Sequence, residues 1–279
     1  MITLTTVIPI ISAFLAAIAG ILARVLLKDT PAKKMLAANF LIMGTTLLLL
    51  SPLFYKFIIT WQSIGLIILI VVLDTLGNYF YFKTFEETEA SIALPLLSLA
   101  PIVTFFFGAI ILGEYPSIII IISALIIVTL IIAISIDWKK FSEFRKVTLY
   151  PALASAFLFG ISAIPSKYLL STLGATNAPT LYMFRAILIG VFALLIFENS
   201  LNKISTKTYS FIFIRGLFVI GQWILLYYAI TLGNTGVAIT LGNITPIFVL
   251  FLSIIFLKES FSWKKSLAAL VILIISLTL

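Results

Sequence analysis

Long apolar stretches, each bounded by Pro, Gly or charged residues, recur along the whole chain. A bilayer core about 30 Å thick needs roughly 20 apolar residues per helix, and each stretch is long enough to span it. Runs such as IIIIISALIIVTLIIAI have no alternating polar face, so they indicate spanning helices and not β-barrel strands. The pattern predicts ten spans, at about 4–27, 35–54, 63–83, 91–112, 117–136, 148–170, 178–197, 209–230, 236–257 and 263–279.

The second half of the chain repeats the first. Shifting the chain by 145 residues aligns 93–127 with 238–272 without a gap and with twelve identities. An odd number of spans per repeat requires that the second repeat enter the membrane from the opposite side. We therefore predict an all-α membrane fold of two inverted five-helix repeats, 1–136 and 148–279, joined by a loop at 137–147. The informative matched pairs are Pro101/Pro246, Glu114/Glu259 and Ser117/Ser262.

Basic residues fall almost entirely in one set of loops. Fourteen of the 18 Lys and Arg residues lie on one side of the predicted topology, the basic-rich side, and only Lys56 and Lys167 lie on the other, the basic-poor side. Arg185 and Arg215 lie within spans. The positive-inside rule makes the basic-rich side cytoplasmic and puts both termini outside. The net charge of +8 is thus a signature of topology and does not indicate a nucleic-acid partner.

Composition narrows the chemistry further. The chain is 62% hydrophobic and 10% charged, which excludes a soluble globule of 279 residues. It contains no Cys and no His, which excludes disulfides, zinc clusters and Cys or His nucleophiles. We expect no cofactor and no metal site. The expected partners are a small-molecule substrate and membrane lipids. The expected location is the plasma (cell inner) membrane. The sequence pattern is compatible with a monomer and does not determine the oligomeric state.

Several motifs resemble the EamA type of the drug/metabolite transporter superfamily. They are Leu96–Leu99–Pro101 followed by Leu112–Gly113–Glu114, the weaker copy Ile244–Pro246 followed by Leu257–Lys258–Glu259, Arg185 in LYMFRAILIG, and the pair Arg215–Gly216. Together with the duplication, they cover the whole chain. The sequence departs from the pattern at Asn39, where the first repeat lacks the counterpart of Arg185, and at Lys258, which replaces a glycine.

The resemblance implies a secondary transporter with a central cavity between its repeats and alternating access. It also implies termini on the cytoplasmic side, which differs from the orientation given by the loop charges. The small multidrug branch of the superfamily uses a Glu in the first span for proton coupling. The first span of this chain has no carboxylate, so that mechanism is not expected at that position.

Two charged residues fall at mid-membrane depth. Asp74 is central in the third span, where a charged side chain costs about 2.5–3.5 kcal/mol to insert. Asn78 and Tyr81 follow one and two turns later on the same face. Arg185 is central in the seventh span. The two charges either form a buried ion pair that fixes the packing of the repeats, or bind the ammonium and carboxylate of a zwitterion.

Other polar residues also suggest a site between the repeats. Gly236, Thr240 and Asn243 share a face of the ninth span and match Ser91, Pro95 and Ser98 of the fourth, so they either line a cavity or allow close helix packing. The remaining candidate substrate-binding residues are Ser162, Gln222, Trp223 and Tyr227. Glu114 and Glu259 precede the fifth and tenth spans, where we expect each to cap a helix N-terminus, with a salt bridge at a gate as the alternative.

Three classes of function remain in competition. The first is a transporter of a small metabolite, with an amino acid or a related zwitterion as the favoured substrate because of Asp74 and Arg185. The second is a nucleotide-sugar, organic-cation or drug carrier of the same fold. The third is a membrane-embedded enzyme or lipid-handling protein, which would be expected to show convergent carboxylates or a nucleophile with its base.

Overall fold

The computed structural model describes residues 4–27, 29–87, 97, 99–135, 146–197, 204–257 and 263–276. Apart from its connections, this part of the chain is helical, and the fold is an all-α membrane fold of ten spans in two inverted repeats. Six of the described helices are long and apolar enough to span a membrane by length and composition. The connecting loop predicted at 137–147 lies mostly outside the described residues.

The first repeat contains helices α1 to α5 and the second contains α6 to α11. Their bounds are α1 Leu4–Leu26, α2 Ala32–Leu50, α3 Trp61–Glu87, α4 Ala100–Phe107, α5 Ile118–Ser135, α6 Lys146–Lys167, α7 Ala178–Ile196, α8 Thr206–Leu232, α9 Thr235–Gly242, α10 Thr245–Leu257 and α11 Trp263–Ser276. Wider π-helical turns extend α4 through Gly108–Leu112 and α6 through Tyr168–Thr172. Side-chain oxygens of Asn177, Ser205 and Asn234 cap α7, α8 and α9.

The ninth span is broken into α9 and α10 next to its proline. Pro246 has no N–H, so it cannot bond to the carbonyl four residues earlier, at Gly242. The hydroxyl of Thr245 donates to that carbonyl at 3.0 Å instead. The freed backbone acceptor is thus satisfied by the protein, as the interior of a membrane requires.

Helix packing follows the symmetry of the repeats. The packing of α1 on α8 is matched by that of α6 on α3, and the packing of α2 on α8 by that of α7 on α3. The equivalent helices α2 and α7 pack directly on each other, and so do α4 and α9, and α5 and α11. Ser12 donates to the carbonyl of Gln222, and Ser155 of the second repeat donates to the carbonyl of Gly77. Gly77 is the position in the first repeat that is equivalent to Gln222. The core is therefore an interface between the repeats and not two separate cores.

Glycines allow α2 and α7 to approach each other closely. A Cβ atom at Gly44 would lie 2.8 Å from the backbone N of Ile187, and one at Gly190 would lie 3.0 Å from the backbone N of Leu41. Small residues at such crossings are typical of membrane helices, where association depends on close packing.

Candidate functional site

An ion pair joins the two repeats in the interior of the bundle. Nε of Arg185 on α7 contacts carboxylate Oδ2 of Asp74 on α3, and both side chains are only 1% exposed. An isolated charge is expensive in a membrane, and a nearby opposite charge compensates it. In this conformation, the two central charges are therefore paired with each other.

Three aromatic residues of the second repeat surround the guanidinium of Arg185. Its carbon Cζ lies 3.7 Å from the ring centroid of Trp223 and 5.6 Å from that of Tyr182. Its Nη1 donates to the hydroxyl of Tyr227 at 3.4 Å. Aromatic faces stabilise a guanidinium where water is excluded. We call Asp74, Arg185, Tyr182, Trp223 and Tyr227 the Arg185 site.

The ion pair leaves hydrogen-bonding capacity unused. Apart from the ion contact itself, the carboxylate oxygens of Asp74 and the Nε and Nη2 atoms of Arg185 have no hydrogen bond of ordinary geometry to the described residues. Asn78 donates to the backbone carbonyl of Asp74, at 2.7 Å, and not to its carboxylate. The hydroxyl of Ser162 on α6 lies near that carboxylate as a weak donor. The unused groups suit a ligand that carries its own ionic groups.

A second buried arginine lies in the half of α8 nearest to the basic-rich side. Arg215 is 4% exposed. It donates from Nε to the carbonyl of Ala19 at 3.1 Å and from Nη1 to Oδ1 of Asn39 at 2.5 Å. Its Cζ lies 5.5 Å from the ring centroid of Phe82. Within the described ranges, no carboxylate pairs with it. We call Arg215, Asn39 and Phe82 the Arg215 site.

The structure separates the predicted site residues into groups. Asp74, Ser162, Arg185, Trp223 and Tyr227 come together at the Arg185 site, and Asn78 binds the backbone beside it. Tyr81 interacts electrostatically with Arg215 instead. Gln222 contributes its backbone carbonyl to the contact between α1 and α8.

The polar stripe of the ninth span is satisfied within its own helix. Thr240 donates to the carbonyl of Gly236 at 2.8 Å, and Asn243 donates to that of Ile239 at 2.9 Å. In the part of the chain that the structure describes, no hydrogen bond, ion pair or ring contact links Thr240 or Asn243 to the Arg185 site. Their role in binding stays a prediction, and Ser98 lies outside the described residues.

Sequence reasoning does not identify Tyr182 and Met43, which connect the two arginine sites. The hydroxyl of Tyr182 lies 3.4 Å from Sδ of Met43, and Nδ2 of Asn39 lies 3.8 Å from the same sulfur. Tyr182 precedes Arg185 by three residues, a helical spacing that puts both on one face and could have indicated it. Met43 gives no such signal, because it belongs to the other repeat.

A polar cluster connects the two repeats at the basic-poor side. Oε2 of Glu114 accepts from the backbone N–H of Thr235 at 2.7 Å, and Oε1 accepts from its hydroxyl at 3.0 Å. Lys167 lies 3.5 Å from Oε1 and donates to the carbonyls of Ile230 and Gly233. We call Glu114, Lys167 and Thr235 the Glu114 cluster.

The expected helix cap at Glu114 is formed on a different helix. The sequence placed this carboxylate at the start of the fifth span, but it caps α9 of the second repeat. Gly113, directly before it, has φ of 67° and turns the chain at that point. Ser117 lies next to α5 and accepts from the N–H of Ile120 at 3.4 Å. The alternative, a salt bridge, is also present because Lys167 pairs with the same carboxylate. Glu259 lies outside the described residues.

Comparisons with known proteins agree with the symmetry of the helices. The sequence pattern described as the EamA-like transporter family matches residues 4–136 and again residues 148–279. A protein of Archaeoglobus fulgidus, named only as an uncharacterised transporter, is 25% identical over 205 residues, which are 73% of this chain and 71% of that protein. A protein of known crystal structure has a similar fold, with a TM-score of 0.79 and 15% identity, covering 99% of this chain and 98% of the other.

Proposed function

This chain belongs to the EamA-like transporter family and is a membrane transporter of small molecules, and from that premise we propose that it carries an amino acid or a related zwitterion. We place the substrate at the Arg185 site and infer transport by alternating access. Family membership and the name of the archaeal relative both point to transport and not to catalysis.

The ion pair between Asp74 and Arg185 carries the proposal. A zwitterion can exchange partners with it, its carboxylate binding Arg185 and its ammonium binding Asp74. Both charges of the pair then keep an opposite charge beside them, so binding adds no uncompensated ion to the membrane interior. The unused donors and acceptors of the pair would bind the two ends of the substrate.

The aromatic residues supply the apolar part of such a site. Trp223, Tyr182 and Tyr227 contact the guanidinium, so a substrate carboxylate bound there would bring its side chain close to their rings. Small-molecule sites commonly combine an apolar wall with a few polar anchors in this way. A substrate with an apolar or aromatic side chain therefore fits the site better than a strongly polar one.

Alternating access is supported by the position of the pair between the repeats. Asp74 belongs to the first repeat and Arg185 to the second, so a substrate that exchanges with the pair weakens a contact that holds the repeats together. The Glu114 cluster also connects the repeats, at the basic-poor side. We infer that the cluster opens when the substrate site faces that side.

Counterflow of radiolabelled amino acids in proteoliposomes tests this function. We expect at least one amino acid to exchange, and we expect Asp74→Asn and Arg185→Gln each to lower the exchange rate by at least about tenfold. Thr45→Val is the matched control, because Thr45 is exposed and bonds only to its own helix. If no amino acid exchanges, and the Asp74→Asn variant exchanges another solute at the normal rate, the proposal of a zwitterionic substrate is wrong.

Organic cations, drugs and nucleotide sugars are the alternative substrates. An organic cation would pair with Asp74 and leave Arg185 without its counter-ion, whereas a nucleotide sugar would bring two phosphates to one guanidinium. Neither keeps the charge balance that a zwitterion keeps. If one of these compounds exchanges in the same assay and no amino acid does, that compound and not a zwitterion is the substrate.

A further inference from the structure

We propose that Arg215 and Asn39 form a second anion subsite, which takes the carboxylate of the substrate on the basic-rich side of Met43. This inference rests on the proposed transport of a carboxylate-bearing solute. It assigns a function to a buried charge that the Arg185 site does not use.

The charge balance of the interior is the first argument. Arg215 is a permanent cation at 4% exposure. Its partners include the carbonyl of Ala19, the amide oxygen of Asn39 and the face of Phe82, and it also interacts electrostatically with the phenols of Tyr81 and Tyr182. All of these groups are neutral, and within the described ranges no carboxylate pairs with it. A carboxylate is the ligand that would hydrogen-bond to the guanidinium and also neutralise its charge.

The symmetry of the repeats is the second argument. Asn39 on α2 lies 146 residues before Arg185 on α7, the same offset that relates Gly44 to Gly190 at the crossing of these two helices. Phe82 on α3 lies 145 residues before Tyr227 on α8. The Arg185 site joins α7 to α3, and the Arg215 site joins α2 to α8, which are the equivalent helices exchanged. The two sites therefore join equivalent pairs of helices around a buried arginine. Arg215 itself lies one turn before Val219, the position equivalent to Asp74, and among the described residues an anion is present at the Arg185 site and not at the Arg215 site.

Continuity between the sites is the third argument. Tyr182 is part of the Arg185 site and Asn39 is part of the Arg215 site, and both contact the sulfur of Met43. Tyr182 also interacts electrostatically with both arginines. A methionine side chain is unbranched and adaptable, so it can separate two sites and still move aside. A carboxylate leaving Arg185 toward the basic-rich side would next meet Arg215.

Thermal unfolding of the full-length protein with sodium propionate, against sodium chloride at equal ionic strength, tests the subsite directly. Propionate has a carboxylate and no ammonium. We expect it to raise the melting temperature of the wild type, and we expect Arg215→Gln to weaken the apparent affinity for propionate by at least about tenfold. Arg24→Gln makes the same change at an exposed arginine and is expected to leave the response unchanged. A wild type without a response, or an equal response in Arg215→Gln, would overturn the subsite.

Asn39→Asp gives a second test that does not depend on removing the arginine. It is nearly isosteric and puts a carboxylate in contact with Nη1 of Arg215, in place of the substrate. We expect a higher melting temperature in chloride and no further shift with propionate. A lower melting temperature with the propionate response retained would contradict the proposal.

The two proposals fail in different ways. If counterflow detects no amino acid exchange, but propionate protects the wild type and not Arg215→Gln, the zwitterion is wrong and the anion subsite stands. If amino acids exchange and the propionate response is independent of Arg215, the transport function stands and the subsite is wrong.

Discussion

The carboxylate of Glu114 binds the first helical N–H of Thr235 at 2.7 Å, across 121 residues of sequence and from one repeat to the other. The N-terminus of α9 carries partial positive charge, and the C-terminus of α8, where Lys167 donates to two carbonyls, carries partial negative charge. Each side chain thus complements the helix end that it contacts, and the two also pair with each other. The turn between α8 and α9 is fixed to the loop of the first repeat by these contacts.

Removing the Glu114 carboxylate should loosen the basic-poor side. Glu114→Ala removes both bonds to Thr235 and leaves Lys167 without its counter-ion, so we expect a loss of about 1–2 kcal/mol in the free energy of unfolding. Glu114→Gln keeps an acceptor for Thr235 and should lose less. Glu86→Ala, at an exposed glutamate near the end of α3, is the control. Equal stability of Glu114→Ala and Glu86→Ala in denaturant titrations would exclude the stabilising role.

The same cluster should control access from the basic-poor side. The chain has no cysteine, so a maleimide can react only with a thiol that is introduced by mutation. Ser166 is 1% exposed and precedes Lys167. We expect Ser166→Cys to react slowly with a membrane-impermeant maleimide added from that side. Combined with Glu114→Ala it should react about five- to thirtyfold faster, because the closed state has then lost about 1–2 kcal/mol of stabilising contacts. An unchanged labelling rate would show that the cluster does not limit access.

The Asp74–Arg185 pair should show strong coupling in a double-mutant cycle. Either Asp74→Asn or Arg185→Gln leaves the other charge buried without its partner, which costs about 3–5 kcal/mol. The double variant removes both charges, so we expect it to be more stable than the sum of the two single changes predicts. Additive losses in unfolding experiments would mean that the pair does not act as a unit.

Added volume at the crossing of α2 and α7 should be destabilising. Gly44→Val or Gly190→Val inserts atoms against the backbone of the opposite helix, and overpacking of this kind costs about 1–3 kcal/mol. Gly20 has open space at its Cβ position and lies inside α1, so Gly20→Ala is expected to be neutral or slightly stabilising. Thermal unfolding of the three variants gives the comparison, and equal effects would disprove the close packing.

Loss of the indole at Trp223 should weaken the substrate site specifically. Trp223→Leu removes the ring that lies 3.7 Å from the Arg185 guanidinium, and we expect substrate affinity to fall by about 0.5–2 kcal/mol. Trp61→Leu is the matched control, because Trp61 is 91% exposed. Competition binding with the substrate identified by counterflow measures the affinity of both variants. If Trp223→Leu and Trp61→Leu bind it with the same affinity, Trp223 does not contribute to substrate binding.

The spans and their inversion were predicted from the sequence, and the break at Pro246 follows from a rule of the same local kind. The thickness of the bilayer determines the length of an apolar helix, and an odd number of helices per repeat determines the inversion. The N–H that proline lacks explains the break. These rules act on neighbouring residues or on aligned segments. They give the course of the chain through the membrane without any knowledge of which helices touch.

The partners of the buried charges were not predictable in the same way. Asn39 and Arg215 are separated by 176 residues, and nothing in their spacing pairs them. Glu114 has the residue type and position of a helix cap, but the helix that it caps is determined by the turn at Gly113 and by packing between the repeats. The positions of Asp74 and Arg185 near the centres of their spans can be read from the sequence, whereas their contact depends on how α3 and α7 pack.

The unequal distribution of buried ions makes the two halves of this chain non-interchangeable. Two copies of the first half, assembled antiparallel, would bury two Asp74 carboxylates with Asn39 where Arg185 should be. Two copies of the second half would bury four arginines, because each half contributes Arg185 and Arg215, with Val219 in the position of Asp74. Either symmetric assembly concentrates like charges in a medium that screens them poorly. Fusion into one polypeptide therefore does more than connect two modules. It guarantees one copy of each half, which is the stoichiometry that avoids burying like charges together.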